Sequence, residues 1–315
     1  MPDGPGLYRV RRQRGEQDLV YIGQTGCSLR GRLGQLNEAY RSEMPFSDPH
    51  TAAPALWALR HYDQCDFEVS VAEVHGTTPH RMGIEALAVT LYRARFGRSP
   101  LANFGGMPEG YRKSTGNNAR LVAAGRRARG GPDLSAPVRP LSVPVNGDLT
   151  TAPESGEWVN WPWSRWIPAP KISLETPGRG LYRLRRPGAS ELLYVGQGEI
   201  KPRVSAHLAK AAGDGRQAQH FAGETQVSWV SLPGLATTNL LEHENDLIAA
   251  HVLTCGRPPS AQFLGHSNRL ASQSPHKEFP CSCGDGPPVK HGSGPTRKLL
   301  SPRTPHSPTW PLSWQ

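Results

Sequence analysis

Two short apolar runs near the start of the chain predict a β-hairpin. Residues 6–12 (GLYRVRR) and 19–23 (LVYIG) each carry apolar side chains beside a glycine, and a polar stretch of hairpin length separates them. Residues 66–74 then alternate apolar and polar side chains, which is typical of a strand with one buried face. The beginning of the chain therefore predicts three strands.

Helical spacing of apolar residues appears between and after these strands. Four residues recur at intervals of three and four and define one face of a helix: Leu29, Leu33, Leu36 and Tyr40. Ser28 precedes them and can cap the helix, because its hydroxyl accepts a hydrogen bond from a free backbone N–H. A longer helix is predicted over residues 80–96, ending before Gly97.

The same succession of patterns returns in the second half of the chain. Residues 180–186 (GLYRLRR) match the first strand at six of seven positions, and residues 194–197 (YVGQ) match 21–24 (YIGQ) at three of four. Three further segments follow in the order of the first half: an amphipathic segment at 200–210, an alternating run at 226–232 and a helix at 239–253. This recurrence predicts an internal duplication, with one domain over 1–106 and another over 176–265.

Regular periodicity fades between the two repeats and after the second one. Proline and glycine become frequent over 107–175, which predicts a disordered linker, and residues 266–315 predict a disordered tail. The linker contains four closely spaced tryptophans: Trp158, Trp161, Trp163 and Trp166. They either stack nucleic acid bases or pack as a clasp onto the second domain. We favour packing, because tryptophan is mainly a core and interface residue.

The charge of the chain favours an anionic partner, and nucleic acid is the usual one. The net charge is +10, of which the linker and tail together hold +7, so the folded repeats are nearly neutral. Arg126, Arg127 and Arg129 lie in a basic stretch, residues 110–129, that contains no acidic residue. Such a stretch either holds phosphates without reading sequence or only keeps a linker soluble.

Other features of the sequence favour a reduced protein of the cytoplasm. No apolar run approaches the length of a transmembrane helix, and the first motif begins at residue 6, which leaves no room for a signal peptide. The five cysteines show no disulfide framework. Cys281 and Cys283, with His276 and His291, lack the spacing of a structural zinc site, so we expect no metal in the tail.

A carboxylate stands on an apolar helix face in each repeat. Glu85 is surrounded at helical spacing by apolar side chains, and Glu244 repeats this arrangement in the second helix. An ionised carboxylate there is unfavourable unless it is paired or binds a metal, so it either forms an ion pair with Arg32 or Arg203 or binds a cation.

An arginine and a carboxamide also recur in both repeats. Arg32 follows Tyr21 by eleven residues and Arg203 follows Tyr194 by nine, and we interpret both as anion clamps because guanidinium binds phosphate oxygens in a bidentate manner. Asn103 lies eighteen residues after its glutamate, as does Gln262 in the second repeat. A carboxamide at this place either orients water or substrate or satisfies the backbone of a loop.

Taken together, these residues resemble the signature of the GIY-YIG nuclease family. In the first repeat the matching residues are Tyr8, Tyr21, Arg32, Glu85 and Asn103. In the second repeat they are Tyr182, Tyr194, Arg203, Glu244 and Gln262, where the family has asparagine at the last position. The resemblance implies an α/β (α+β) fold of two small domains, each with a three-stranded antiparallel sheet flanked by helices.

The resemblance further implies hydrolysis of phosphodiester bonds in DNA with one divalent metal, Mg²⁺ or Mn²⁺. The glutamate would hold the metal, so Glu85 and Glu244 take that role. Tyr8 would activate the attacking water with Tyr21 assisting, which requires a lowered tyrosine pKa. Arg32 would stabilise charge on the scissile phosphate, and Asn103 would help to order the site.

Basic residues beside the signature are predicted to contact the nucleic acid. They lie on the first strand of each repeat and in the linker: Arg9, Arg11, Arg12, Arg183, Arg185, Arg186, Arg126, Arg127 and Arg129. One further difference distinguishes the second repeat, where His207 stands four residues after Arg203 and the first repeat has Leu36.

Three hypotheses for function follow. The main one is a tandem endonuclease of the restriction, defence or mobile-element kind, which cuts both strands of double-stranded DNA as a monomer with an internal pseudo-dimer. The second is a repair-type nicking enzyme with one active and one binding copy. The third is a DNA-binding protein without catalysis. RNA as the substrate is left open.

Overall fold

In the first half of the chain, helices flank an antiparallel sheet. The computed structural model describes residues 1–13, 18–140 and 142–264. The elements of this half are β1 (Gly6–Arg12), β2 (Leu19–Thr25), α1 (Leu29–Gly34), α2 (Ala53–Asp63), β3 (Phe67–Glu73) and α3 (Thr78–Phe96), with a 3-10 helix at Gln35–Tyr40. The strand order is β2-β1-β3, so β1 is central and Tyr8 lies opposite Gly23 on one side and Val71 on the other. The predicted three-stranded sheet is confirmed for this half.

Helix boundaries follow local capping chemistry. Ser28 caps α1 as predicted, with its Oγ accepting a hydrogen bond from the Gly31 N–H at 2.9 Å. The predicted helix over 29–40 is interrupted at Gly34, a weak helix former, and continues as the 3-10 helix. Helix α3 ends as predicted, because Gly97 adopts a left-handed conformation that favours glycine, with φ of 70°.

The region between the repeats is ordered, and the prediction of a disordered linker is wrong. It forms β4 (Tyr111–Arg112), α4 (Ala119–Ala123), β5 (Gly131–Pro132) and β6 (Ile167–Pro168), with 3-10 helices at Trp158–Asn160 and Ala169–Leu174. Trp158 and Trp163 are buried in one apolar cluster with Leu181 and Val230 of the second half. The tryptophans therefore pack as the predicted clasp, since their large apolar area offsets the low hydrophobicity of the segment around them.

The second half repeats the first and gains one strand. Its elements are β7 (Arg179–Arg185), β8 (Leu192–Glu199), α5 (Ile200–Ala209), α6 (Ala218–Phe221), β9 (Gln226–Ser231) and α7 (Thr237–Cys255), with a 3-10 helix at Lys210–Ala212. The strand order is β6-β9-β7-β8, and β6 pairs with β9 through Ile167 and Val227. The sheet has four antiparallel strands instead of the predicted three, because residues assigned to the linker cover its edge.

Irregular backbone features also recur in the two halves. Register shifts occur between Val10 and Arg11 on β1 and at the matching place on β7. Phe104 and Phe263 both take a positive φ, of 52° and 60°, one residue after the predicted carboxamides. Backbone irregularities of this kind are costly and specific, so their repetition supports the predicted duplication.

Glycines of the signature are needed because tyrosine rings lie directly over them. A Cβ at Gly23 would stand 2.8 Å from the Tyr8 hydroxyl oxygen and 2.5 Å from Cε1 of Tyr21. Gly196 has the same relation to the ring of Tyr182 on the neighbouring strand. Only glycine permits this approach of ring to backbone.

Replacing Gly23 with alanine is therefore expected to lower the free energy of unfolding by about 1–3 kcal/mol. The added methyl group displaces Tyr8, which is 2 % exposed and has no room to move. Urea unfolding measures the loss, and Gly34→Ala is the matched control because a Cβ at Gly34 would meet nothing within 4 Å. Equal unfolding midpoints for the two variants would contradict the expectation.

The two halves pack through their long helices, and a buried ion pair joins them. Arg93 of α3 donates from Nε to Asp246 of α7 at 3.0 Å, and Thr90 Oγ1 donates to the same carboxylate at 3.0 Å. Both members of the ion pair are fully buried. All described residues of the two halves fall within one structural unit, so the predicted separation into two domains is not confirmed.

Two remaining features of the chain bear on the sequence predictions. Cys65 and Cys255 are free thiols. The predictions for the tail, 266–315, concern residues outside those that the structure describes, as do Cys281, Cys283, His276 and His291.

Candidate active site

Two tyrosines and an unpredicted histidine meet in the first half. Tyr8 of β1 and Tyr21 of β2 have ring centroids 5.9 Å apart. His50, in the loop before α2, completes the cluster: its Nε2 lies 2.7 Å from the Tyr8 hydroxyl, and its ring centroid lies 5.5 Å from that of Tyr21. The predicted tyrosine pair is therefore brought together, with a histidine in hydrogen-bond contact with it.

The second half builds the same cluster from a different element. Tyr182 of β7 and Tyr194 of β8 have ring centroids 6.2 Å apart, and Nε2 of His207 lies 2.9 Å from the Tyr182 hydroxyl. His207 comes from α5, whereas His50 comes from the loop before α2. In the sequence comparison of the repeats, His207 has no histidine counterpart, because the position aligned with it in the first repeat is Leu36 and not His50.

Each histidine is also contacted at Nδ1, the ring nitrogen that does not face the tyrosine, and this orients both rings in the same way. The Ala52 N–H donates to Nδ1 of His50 at 3.2 Å, and the Lys210 ammonium, which has donors only, lies 3.4 Å from Nδ1 of His207. Burial lowers the pKa of His50 to about 3, and Arg32 adds to the effect, so its ring is neutral at pH 7. A neutral ring that accepts at Nδ1 carries its proton on Nε2 and donates it to the tyrosine oxygen.

Arg32 is fixed beside the tyrosines of the first half. Its Nη1 donates to Gln35 Oε1 at 2.7 Å and to the Pro49 carbonyl at 2.8 Å. Burial raises the pKa of Tyr8, and the charge of Arg32 and a hydrogen bond from it oppose the rise. Arg203, which is exposed, opposes the rise at Tyr182 in the same way.

Burial outweighs the arginines at all four tyrosines. It raises the pKa of Tyr21 and Tyr182 strongly and that of Tyr194 to about 12. The lowered tyrosine pKa that the resemblance required is therefore not produced by Arg32 and Arg203 alone.

Glu85 of α3 and Glu244 of α7 lie on partly buried helix faces without a bonding partner. Burial raises the pKa of each to about 7, and the charge of Arg32 or Arg203 acts against it. Within the described residues, neither carboxylate makes a hydrogen bond or an ion pair at bonding distance. The predicted alternative of a buried ion pair with Arg32 or Arg203 is therefore not observed.

The donor set at each carboxylate is compatible with one hard divalent cation. The described residues contain no group of three or more His, Cys, Asp or Glu side chains that could hold a metal on their own. Mg²⁺ commonly takes one or two protein carboxylates, several waters and substrate phosphate oxygens, so a single unpaired glutamate fits this ion better than Zn²⁺.

Asn103 and Gln262 satisfy the backbone, one of the two predicted alternatives. Asn103 accepts from the Ile22 N–H at 3.0 Å and donates to the Ile22 carbonyl at 2.8 Å, which fixes the strand next to Tyr21. Gln262 Oε1 accepts from the Val195 N–H at 3.2 Å, at the equivalent place. Both are buried, and the first half has two bonds where the second has one.

One predicted nucleic-acid contact is wrong, because Arg183 is fully buried. Its guanidinium lies 4.3 Å from the ring centroid of Trp163 and 4.6 Å from that of Trp166, and it bonds Ser228. The clasp that covers the second sheet encloses it, so Arg183 cannot reach a phosphate.

The other predicted arginines differ in how far their charges are already paired. Arg11 and Arg12 pair with Glu68 and Asp63, Arg185 lies over Trp166, and Arg186 bonds the carbonyls of His220 and Glu224. Arg9 is exposed on β1. Arg126, Arg127 and Arg129 are exposed on the segment after α4, the last two over the ring of Phe46. Arg129 also forms an ion pair with Glu43 at 2.9 Å.

Comparison of the chain with protein-family models, with curated proteins and with solved structures returned no match. Among the described residues, no helix has both the length and the apolar character that crossing a membrane requires.

Proposed function

We propose that the chain is a metal-dependent DNA endonuclease with one phosphodiesterase site in each half. The observation that carries the proposal is a repeated arrangement: a tyrosine pair held by a histidine, beside an arginine and an unpaired glutamate. The histidine reaches this place from unrelated elements in the two halves, which a purely structural role for it does not require. The resemblance to GIY-YIG nucleases supports the same activity.

In this proposal the residues of the chain move a proton and bind a phosphate. Glu85 and Glu244 would each hold Mg²⁺ or Mn²⁺, which supplies Lewis-acid stabilisation of charge on the scissile phosphate. Tyr8 would react as the phenolate and become the phenol when it takes the proton of the attacking water. Its oxygen faces the His50 Nε2–H and Arg32, two donors that favour the phenolate. Tyr21 packs beside both rings and positions them.

The remaining residues bind the phosphate and hold the strand. Arg32 and Arg203 meet the charge of the phosphate, because guanidinium forms paired hydrogen bonds with its oxygens. Asn103 and Gln262 are positioning residues, since they bond the backbone beside Tyr21 and Tyr194. Tyr182 and His207 repeat the roles of Tyr8 and His50.

The biological role that fits best is restriction, defence or mobile-element cleavage of double-stranded DNA within the cytoplasm. A nicking enzyme of the repair type, with one active copy, is the second candidate. The observation that favours it is the looser second half, where Gln262 makes a single bond and Arg203 is exposed.

The test compares nicking of supercoiled plasmid in Mg²⁺ by the unmodified protein and by Tyr8→Phe/Tyr182→Phe. Phenylalanine keeps the ring over the glycine and removes the hydroxyl, so we expect cleavage to fall by about 10²–10⁴-fold. Tyr92→Phe is the matched control, because it removes a tyrosine hydroxyl that lies outside both tyrosine–histidine clusters and bonds the Leu19 carbonyl at 3.5 Å. A chelator is expected to stop cleavage by the unmodified protein.

Two outcomes would contradict the proposal. Cleavage by the double variant at the rate of the Tyr92→Phe control would exclude the tyrosine hydroxyls from the reaction. Binding of plasmid and of RNA without any cut by the unmodified protein would favour a non-catalytic nucleic-acid-binding protein, and cleavage of RNA alone would change the substrate.

A further inference from the structure

The interface between α3 and α7 repeats its own contacts with the two helices exchanged. Each helix has 19 residues and begins at a threonine, and Glu85 matches Glu244 in this alignment. Three further pairs of matching positions define the contacts: Gly83 with Glu242, Arg93 with Val252, and Ser99 with Pro258.

Contacts at these positions are reciprocal. Glu242 lies 3.3 Å from Arg93 Nη1 and accepts a hydrogen bond from Ser99 Oγ at 2.6 Å. In the opposite direction, a Cβ at Gly83 would stand 3.1 Å from Val252 and 3.2 Å from Pro258. Gly83 therefore contacts Val252 and Pro258, and its counterpart Glu242 contacts Arg93 and Ser99, the counterparts of those two residues. The same pairs of positions thus meet in both directions, as in a two-fold, isologous interface.

The reciprocity makes the two helices antiparallel and locates the pseudo-two-fold axis. Early residues of α3 meet late residues of α7, and the axis passes near residue 88, midway between 83 and 93. Asn245, which matches Ala86, donates to the Ala86 carbonyl at 3.0 Å close to this axis. The neighbours of Glu85 and Glu244 in the chain are thus in direct contact.

Helix geometry then gives the distance between the helix positions that carry the two glutamates. Glu85 and Glu244 each lie three residues from the axis on opposite sides, so they are about 9 Å apart along the helices. Packed helices lie about 8–10 Å apart, so the points on the two helix axes that are level with the glutamates are about 13 Å apart.

We infer that the two sites act on the two antiparallel strands of one duplex, within a single complex of one protein molecule. The strands of a duplex are related by two-fold axes perpendicular to its length, so two sites related by a two-fold axis meet both strands with the same polarity. Two sites related by translation would meet one strand in the wrong direction. The inference rests on the proposed hydrolytic function and assigns one half to each strand.

The inference predicts coupled cuts with a narrow range of offsets. The plasmid is supplied in excess over the protein, and competitor DNA is added to trap protein that dissociates. Under these conditions the unmodified protein is expected to cut both strands, and so to produce linear DNA, each time it binds one plasmid. The ends are expected to share one overhang polarity and to be staggered by less than one helical turn, about 10 base pairs. Sequencing of the ligated ends measures the offset.

The variants Glu85→Gln and Glu244→Gln test the assignment of strands. Each is expected to nick and to lose the linear product, and retained nicking shows that each still folds. A mixture of the two variants at the same total concentration is expected to give nicks only, since both sites must belong to one molecule.

Linear product from the mixture at the rate of the unmodified protein would overturn the inference, because sites of separate molecules would then suffice. Linear product from either single variant, or paired cuts with scattered offsets, would also overturn it. Failure of the proposed function itself gives a different result, since the unmodified protein would then leave the plasmid supercoiled.

Discussion

The double variant Glu85→Gln/Glu244→Gln is expected to lose cleavage by a factor of about 10³ or more while keeping its fold. The amide has the shape of the carboxylate but carries no charge for a cation, and the loss of several kcal/mol of charge stabilisation at the phosphate corresponds to this factor. The assay is the nicking of supercoiled plasmid in Mg²⁺. Cleavage by the double variant within tenfold of the unmodified rate would remove both glutamates from the reaction.

The same substitution is expected to flatten the dependence of stability on pH. The pKa of each glutamate is raised to about 7 in the folded protein, from an ordinary value near 4.5. Between these values the folded state holds protons that the unfolded chain has released, so the stabilisation is present at acidic pH and is lost as pH rises through 7. Glutamine does not titrate, and above pH 7 the variant is expected to match or exceed the stability of the metal-free protein.

Added Mg²⁺ provides a readout that does not depend on activity. At pH 8 it is expected to raise the Tm of the unmodified protein, because a ligand that binds only the folded state stabilises it. The double variant, which is the control, is expected to show no rise. An equal rise in both proteins would place the cation elsewhere.

Replacing Asp246 with alanine is expected to lower the free energy of unfolding by about 3–5 kcal/mol. Asp246 is fully buried and accepts from Arg93 Nε at 3.0 Å, Arg93 Nη2 at 3.2 Å and Thr90 Oγ1 at 3.0 Å. Its removal leaves a buried guanidinium charge without its main partner, in the centre of the contact between the halves.

Denaturant unfolding measures this loss against a matched ion pair at the surface. Glu68→Ala breaks the exposed pair with Arg11 and is expected to cost about 0–1 kcal/mol. Arg93→Leu/Asp246→Leu removes both buried charges and is expected to recover part of the loss. A loss at Asp246 no larger than that at Glu68 would show that the buried pair does not stabilise the interface.

The elements that the sequence predicted are those with local signals. The hairpin, β3, α3 and α7 each have apolar periodicity or a cap within a few residues, and the repeat showed each pattern twice. Four residues of the signature lie together for the same reason, since the strands and helices that carry them were correctly placed: Tyr8, Tyr21, Arg32 and Glu85.

What the sequence did not show depends on contacts between distant residues. Helix α2 has a proline in its first turn and no side-chain cap, and the loop before it brings His50 to Tyr8 across 42 residues. Arg183 matches Arg9 in the alignment, yet it is buried because tryptophans of the connecting region close over it. Neither periodicity nor repetition reports on such contacts.

The strand β6 and the tryptophan clasp determine where a fragment that contains only the second half has to begin. A fragment that starts at residue 176 omits Ile167 and Trp163, and so leaves β9 as an open sheet edge and Arg183 without its cover. Open edges invite pairing with other chains, so such a fragment is prone to aggregate. A workable fragment of the second half has to begin before Trp158, well inside the segment whose composition resembles a linker.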